Sequence, residues 1–571
     1  MIRFVGPLFF MLLVISACST DDGSMDEAKS HTNLKIIVTN SEKEPVADVK
    51  VTTEPKTKIL VTDDEGIANF VDLSPGIYTI FITPPDDYTY ETDVEVRLNE
   101  ENRLDYTTLD LSPVAEVPLD YGNLLKAVYT DFQKIYNARF YVSAWGDIGS
   151  DIFYVNQNKA DATEDMYRFS PNNSVINLIW NEHYSQISLI NYGLNELRKT
   201  NEEQTNTHLK TIEAELRFVR ALLNFNLVKM YGNPIVATYN ESTLYEPSSV
   251  IQDGDEVYDR IIKDLQFAEQ YLESLSQASR ASQEAAQALL GKVYLQSAGF
   301  PLKRTENYAK ALGQFSKLEA KFELEADYAS IFKPGNDVSE EVIFKIDFED
   351  ENENLGYGYL WGPQGLVPHD ILRISQKFIR SYLIDSEQLE APVSFPLEIK
   401  DSRFYTNIAT FKHVNGQKEN AIEMKDWRPY KFAADTEGTA AIFDLPLLRY
   451  ADILLMTAEA ENAINGPTEK AYSEINKVRR RAFGTTNHDL PRNLNTTEFL
   501  EAILAERSRE LCYEGHRKDD LIRNERLASS IADFNNEHPD YQRDYQDYKY
   551  IWPIPQEELS FNPYITQNPG Y

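Results

Sequence analysis

Residues 506–523 read ERSRELCYEGHRKDDLIR. Glu506, Arg507, Arg509, Glu510 and Glu514 place opposite charges at helical spacing around Leu511. Gly515 is positioned to end that helix. Arg517, Asp519, Asp520 and Arg523 then invite charge-assisted pairs. The expectation is a buried ion-pair network that holds a helical core. Cys512, set among apolar neighbours, reads as an inert core thiol.

Outward from this stretch the apolar period is 3.6 residues. Ile176, Ile179, Trp180, Tyr184, Ile187, Ile190, Leu194 and Leu197 fall on one face of a long helix. Leu209, Ile212, Leu216, Val219, Leu223, Leu227 and Met230 do the same and stop near Gly232 and Pro234. Further helices are expected near 254–274, 281–298, 306–322, 446–464, 468–482 and 497–514. Ala221-x-x-x-Phe225 and Ala311-x-x-x-Phe315 match an element of tetratricopeptide (TPR) helices, in which a small Ala lets paired helices approach. Ordinary helical packing is the plainer alternative. From about 325 to 445 the helical pattern breaks. Val342-Ile343-Phe344 with Ile346 reads as a strand, and two aromatic runs follow, LGYGYLWGPQG (355–365) and KDWRPYKF (425–432). A long irregular insertion in a helical scaffold points to function, to disorder or to packed loops.

Residues 33–112 have a different period. Leu34, Ile36 and Val38 alternate with polar residues, as do Val49 and Val51, then Ile77, Thr79 and Phe81, then Val94, Val96 and Leu98. Short strands separated by Pro and Gly turns predict a small β-sandwich. The strings EPVADVKV (44–51) and VTDDEGIANFVDLSPGIYTIFI (61–82) resemble the transthyretin-like, or carboxypeptidase-regulatory-like, domain. Asp63, Asp64 and Glu65 read as an acidic hairpin turn; no EF-hand spacing follows, and no metal is expected. The fold class is therefore mainly α, with TPR-like helical pairs and a long loop-and-strand insertion, preceded by a small β-sandwich.

At the N-terminus MIRFVGPLFFMLLVISA (1–17) has one early Arg and an apolar run too short to span a bilayer comfortably. Val14-Ile15-Ser16-Ala17-Cys18 resembles a bacterial lipobox, which implies lipidation of Cys18; an ordinary signal peptide with a chance Cys is the alternative. Ser19 after the Cys does not resemble an inner-membrane retention signal, and Asp21 and Asp22 resemble the acidic export signal of surface lipoproteins in Bacteroidetes. Residues 18–32 read as a flexible tether. The expected divisions are 1–17, 18–32, 33–112 and 113–571.

The 571 residues carry 56 Lys and Arg against 91 Asp and Glu, a net charge of −35. That balance argues against a nucleic-acid partner. Two cysteines exclude a disulfide framework and a Cys-rich zinc site. No HExxH, HxxE, GxSxG or Walker A motif is present. A glycosidase carboxylate pair stays open from sequence alone.

Three strings carry a second resemblance: 506–523, YIWPIPQEELSFNPYITQNPGY (550–571) and AELRFVRALLNFNLVKMYG (214–232). Together they resemble the SusD/RagB family of outer-membrane glycan-binding lipoproteins over about 120–571. The resemblance implies a cell-surface binding protein and not an enzyme, without cofactor. Its partners would be an oligosaccharide or polysaccharide and a SusC-like TonB-dependent transporter, with the outer membrane reached through the lipid anchor. A peptide or other non-sugar nutrient, or less readily a glycoside hydrolase activity, are the alternatives. Sugars present apolar C–H faces to aromatic rings and hydroxyls to polar groups. Loop aromatics are therefore the candidates: Trp145 and Tyr154 around the turn GDIGSD, where the resemblance implies a lining loop; Tyr357, Tyr359 and Trp361; and Trp427 and Tyr430 with Arg428. Asp147 and Asn156 are the polar candidates beside them. For each aromatic, loop packing is the alternative. Trp180 is expected in the core, and Trp552 is expected to be structural.

Overall fold

The computed structural model describes residues 32–40, 43–83, 90–97, 102–107, 119–136, 145–155, 162–200, 206–234, 254–333, 339–348, 362–366, 370–383, 392–432, 444–561 and 565–571. Cys18, Asn156, Tyr357, Tyr359 and Trp361 lie outside them. The chain divides after residue 118 into two units.

The first unit has two sheets. One is ordered β4-β1-β7, from β1 (Thr32–Thr39), β4 (Ile67–Leu73) and β7 (Asn102–Thr107). In it β1 runs antiparallel to β4 and parallel to β7. The other is β3-β2-β5-β6, from β2 (Lys50–Glu54), β3 (Leu60–Val61), β5 (Gly76–Thr83) and β6 (Tyr90–Val96), all antiparallel. Leu34, Ile36, Val38, Val49, Val51 and Val96 face the shared core, as their alternation predicts. The expectation for β5 has the wrong parity. Tyr78, Ile80 and Ile82 point inward, and Ile77 is 68% exposed. Residues 77–82 are IYTIFI, apolar on both faces, so a period of two cannot choose between them. The Asp63 carboxylate accepts the backbone N–H groups of Glu65 and Ile67 and so closes the predicted hairpin turn.

The second unit is mainly helical. α1 (Tyr121–Ile135), α2 (Ala162–Asp165), α3 (Ser174–Thr200), α4 (Thr207–Tyr231), α5 (Gly254–Tyr271), α6 (Gln283–Ala298) and α7 (Asn307–Phe315) form its first part. Successive long helices pack on one another. Asn206 and Ser282 cap α4 and α6 through their side chains, and Gly232, at φ 73°, ends α4 where the sequence places its stop. Ala221 and Ala311 are fully buried. The Phe315 ring lies so close on Gly291 of α6 that a Cβ there would be 2.4 Å from it. The small residue at this close approach is Gly291.

The insertion supplies short pairs of strands. β8 (Phe153–Val155) pairs with β10 (Leu372–Ile374), and β9 (Val342–Ile346) with β15 (Leu445–Arg449). After β10 comes α8 (Gln376–Arg380), and α9 (Phe404–Asn407) leads into β11 (Ile408–Ala409), which pairs with β14 (Arg428–Pro429). Between them β12 (Phe411–Val414) and β13 (Gln417–Asn420) form a hairpin. The helix expected from 446 starts later, as α10 (Tyr450–Asn465), because Leu445–Arg449 is a buried strand on β9.

The last part is α11 (Glu469–Phe483), α12 (Thr496–Glu510), α13 (Arg517–Arg523), α14 (Leu527–Glu537) and α15 (Gln556–Phe561). α12 opens with a capping box between Asn495 and Glu498. It ends at Glu510, a turn before Gly515. Beyond it Tyr513 has a positive φ of 66°, and Gly515 is closely packed: a Cβ on Gly146 would be 2.2 Å from the Gly515 Cα.

The expected ion-pair network is there. Glu510 accepts from Arg403, Arg449 and Arg481 at 3.0, 3.1 and 2.6 Å. Glu506 pairs with Arg403, Arg479 and Arg509, and Glu514 with Arg449 and Lys431. Arg507 bridges Asp452 and Asp520, and Arg523 bridges Glu459 and Asp520. All of these residues are buried except Arg481, whose side chain is still only 5% exposed. Burial also pushes the Cys512 thiol up to about 12. The Pro-rich C-terminal strip is pinned as expected: Trp552 N–H donates to the Met230 carbonyl, and Asn568 Nδ2 donates to those of Tyr231 and Trp552.

Two glycines separate crowding from freedom. Gly146→Ala is expected to lower unfolding free energy by about 1–3 kcal/mol or more. Gly313→Ala, with nothing near its Cβ inside α7, is expected to raise it by about 0.5–1 kcal/mol. Urea unfolding of the two variants checks both signs.

Acid should undo the network. Burial alone would raise Glu510, but Arg481, Arg449 and Arg403 outweigh it and hold it at about 2, against 4.5. Asp520 is held at about 2, against 3.8, where Arg507 and Arg523 outweigh burial in the same way. Both groups bind protons more readily when unfolded. Their stabilisation is therefore complete above about 4.5 and drains as pH falls towards 2. Glu510→Gln should flatten this acid limb and cost about 3–5 kcal/mol at neutral pH, since it strips a charge from three buried guanidiniums. Chemical unfolding measured from neutral pH down to acid tests both effects.

Candidate functional site

Tyr154 and Arg373 are direct cross-strand partners in the β8–β10 pair. Their neighbours Phe153, Val155, Leu372 and Ile374 all point into the core. With a side-chain period of two, Tyr154 and Arg373 are therefore turned together to the other face. Tyr154 is half-buried. Its ring packs against Phe534, His538 and Tyr541 at centroid distances of 5.6, 4.8 and 5.2 Å. Burial raises its hydroxyl above the ordinary tyrosine value.

Asp370 holds the guanidinium of Arg373 through Nη1 at 2.9 Å and Nη2 at 3.2 Å. The same carboxylate accepts from Nε and Nη2 of Arg428. Burial alone would raise Asp370, but Arg428 and then Arg373 hold it below the usual carboxylate range. Arg428 is buried and spends Nη1 on the carbonyls of Lys425 and Trp427. Burial and the nearby Arg428 charge lower Arg373.

Beside this ledge stands the β12–β13 hairpin. Its turn residues, Asn415 and Gly416, both have positive φ, as a two-residue hairpin turn requires. The Tyr430 ring meets Phe411 edge-on at 5.3 Å, and Lys418 Nζ lies 3.6 Å from the Phe411 ring centroid. The turn 362–366 presses on the hairpin. His413 N–H donates to the Gln364 carbonyl, and a Cβ on Gly365 would reach 2.1 Å from the His413 carbonyl oxygen.

Of the expected site residues, the structure brings Tyr154 and Arg428 to one ledge, with Tyr430 two residues on and half-buried. Trp145 and Trp427 are corrections. Trp145 is 1% exposed; its Nε1 donates to Asp519 and its ring stacks edge-on with Trp552. Trp427 has no exposed surface; it donates to the Ala421 carbonyl and packs on Phe404. A sugar platform needs an open ring face, and neither ring has one. Asp147 is also buried, accepting the backbone N–H groups of Gly515 and Arg517, and burial pushes it up to about 7. Trp180 and Trp552 are core residues, as expected.

Asp370 and Arg373 carry no distinguishing signal in the sequence. The hairpin does: Asn415-Gly416 between KHV and QKEN marks it. Elsewhere a cleft of about 220 Å³ opens among Lys377, Ser508, Arg517, Ser530 and Asp533. Among the described residues no cluster of His, Cys, Asp and Glu is built to hold a metal, and no helix is long and apolar enough to cross a membrane.

The family model described as "SusD family" matches residues 340–571, and one described as "Starch-binding associating with outer membrane" matches 107–295. A SusD-like protein of Formosa agariphila is 26% identical over 492 residues, covering 75% of this chain and 89% of its own. Another from that organism is 25% identical over 481 residues, covering 78% and 90%. The crystal structure of a SusD homolog from Bacteroides thetaiotaomicron superposes with a TM-score of 0.69 at 24% identity, over 79% of this chain and 97% of that one. A laminarin-binding SusD-like protein superposes with a TM-score of 0.61 at 22% identity, over 79% and 99%. Likenesses at these identities establish the fold.

Two variants separate core rings from the ledge. Trp427→Ala is expected to cost about 3–5 kcal/mol of stability. Tyr154→Phe removes a hydroxyl that bonds no described group and should stay within about 0.5 kcal/mol of the parent. Denaturant unfolding measures both.

Proposed function

We propose that the chain belongs to the SusD/RagB family and is a surface lipoprotein that binds an oligosaccharide or polysaccharide and passes it to a TonB-dependent transporter of the SusC kind. One observation carries the placement of the site. Tyr154 and Arg373 stand side by side on a ledge backed by aromatic rings, each with donors not engaged by the described residues. Aromatic faces suit the C–H surfaces of a sugar, and the hydroxyl and guanidinium suit its oxygens. Tyr430, with Phe411, would extend the ledge. Trp361, Tyr357 and Tyr359 belong to the run that leads into the turn 362–366. Binding would need no covalent step and no cofactor. The laminarin-binding neighbour and the lipobox-like sequence at Cys18 support the reading.

In this reading lipid on Cys18 holds the protein at the outer face of the outer membrane, and residues 18–32 act as the tether. The two-sheet unit, which resembles a transthyretin-like domain in sequence, serves as a spacer or docking module.

Affinity electrophoresis of the full chain in detergent, against neutral, carboxylated and sulfated polysaccharides, tests the function. Retardation by at least one polymer is expected, weakened about tenfold by Tyr154→Ala, the size of a lost hydrogen bond and ring contact. Trp361→Ala serves as the companion variant. Mobility unchanged by every polymer would refute glycan binding.

A further inference from the structure

The charges around the ledge do not balance. Asp370 is one carboxylate shared by two guanidiniums, Arg373 and Arg428. Nearby carboxylates are matched one to one: Asp426 by Lys412, Glu537 by Arg380, and Asp165 by Arg543. Among the described residues the ledge therefore keeps one positive charge without a carboxylate of its own, in a chain whose net charge is −35.

That excess sits in a particular place. Arg428 is buried and its guanidinium faces Asp370 and two carbonyls. Arg373 presents its Nη1–Nη2 end to Asp370, and Nη1 also donates to the carbonyls of Asp370 and Leu372. The other edge of the fork, Nε with the second hydrogen of Nη2, has no hydrogen-bond partner among the described residues. Arg373 keeps 19% of its side chain exposed. By contrast, the unbonded Nε atoms of Arg481, Arg509 and Arg543 are sealed in the interior. A free Nε–Nη2 edge is the donor pair that takes a planar carboxylate through two parallel hydrogen bonds. The Tyr154 hydroxyl stands opposite as a further donor, and the Phe534 and His538 rings wall the ledge behind it. Burial, and then the nearby Arg543, lower His538 below the ordinary histidine value.

We propose that the sugar recognised at this ledge is acidic, a uronic-acid-type unit whose ring carboxylate pairs with the free edge of Arg373. The proposal rests on glycan binding at the Tyr154 ledge and names the class of glycan. A neutral sugar would leave the extra guanidinium without a counter-charge; a carboxylate supplies it. A sulfate ester carries the charge but presents tetrahedral oxygens in place of a planar pair.

The test is calorimetric titration of the full chain in detergent with oligosaccharides from several uronic-acid polymers (polygalacturonate, alginate, hyaluronan and glucuronoxylan). Each is paired with its carboxyl-reduced counterpart and run beside neutral glucans and a sulfated, uronate-free galactan. Binding to a uronate oligomer, lost on carboxyl reduction and weakened at least tenfold in Arg373→Gln, is the expected result. Arg373→Lys keeps the charge without the fork and should fall between parent and Gln, so the reading survives should the Gln variant fail to fold. Binding only to neutral or sulfated glycans overturns the proposal and leaves glycan binding standing. So does uronate binding that Arg373→Gln and Arg373→Lys leave unchanged. Absence of binding to every class overturns glycan binding itself.

Discussion

Everything in the helical unit leans on the three carboxylates of Glu506, Glu510 and Glu514. They sit four residues apart on α12 and the turn beyond it. Between them they answer Arg403 before α9, Arg449 at the end of β15, Arg479 and Arg481 on α11, and Lys431 after β14. A buried ion pair is a weak source of net stability but an exacting one of geometry, because removing either partner strands the other without water. Each of these contacts fixes a segment that hydrophobic packing alone would leave free to slide. The network therefore sets where β14 and β15 run, and with them the short strands that frame the ledge.

The ledge inherits that rigidity at one remove. Arg428 is two residues from Tyr430 and three from Lys431, whose ammonium is buried on Glu514. Tyr154 lies eight residues from Gly146, which is jammed against Gly515. Two strands too short to be stable alone thus become reliable supports, since each grows out of a point already locked to the centre. Tyr154 and Arg373 can keep donors that no described residue engages, because their placement is set by the strands and, for Arg373, by Asp370.

Much of the body is written in local patterns. The 3.6-residue period, Asn206, Ser282 and Gly232 set the helices, and 506–523 announces its own ion pairs. The functional surface is less legible for a definite reason. Trp145 and Trp427 occur beside polar turns, as platform residues would, yet Trp145 is drawn inside by Asp519 and Trp552, far away in sequence, and Trp427 by the nearby Ala421 carbonyl and the more distant Phe404 ring. Asp370 and Arg373 look like any surface pair until Arg428 arrives from 55 residues downstream to share the carboxylate. The same limit appears in β5, where IYTIFI offers an apolar residue to either face and only the second sheet decides which is buried. Local rhythm fixes which element forms; long-range pairing fixes what that element shows.

The position of the central carboxylates near the end of the chain has a consequence for how the protein comes into being. A polypeptide emerges from the ribosome N-terminus first. Lys431 and Arg479 appear before the carboxylates that pair with them, and Arg403, Arg449 and Arg481, already met by Asp401 or Glu341, complete their pairing only with Glu506, Glu510 and Glu514. Until residue 514 is out, the pairing of these cations is incomplete, and a closed core would trap Lys431 without its carboxylate. Earlier helices can form on schedule, but their consolidation must wait for nearly the whole message to be read. A chain ending before residue 506 would hold its earlier helices without gaining these partners. Such products would stay open to proteases, and the late carboxylates would act as a seal of completion on each molecule.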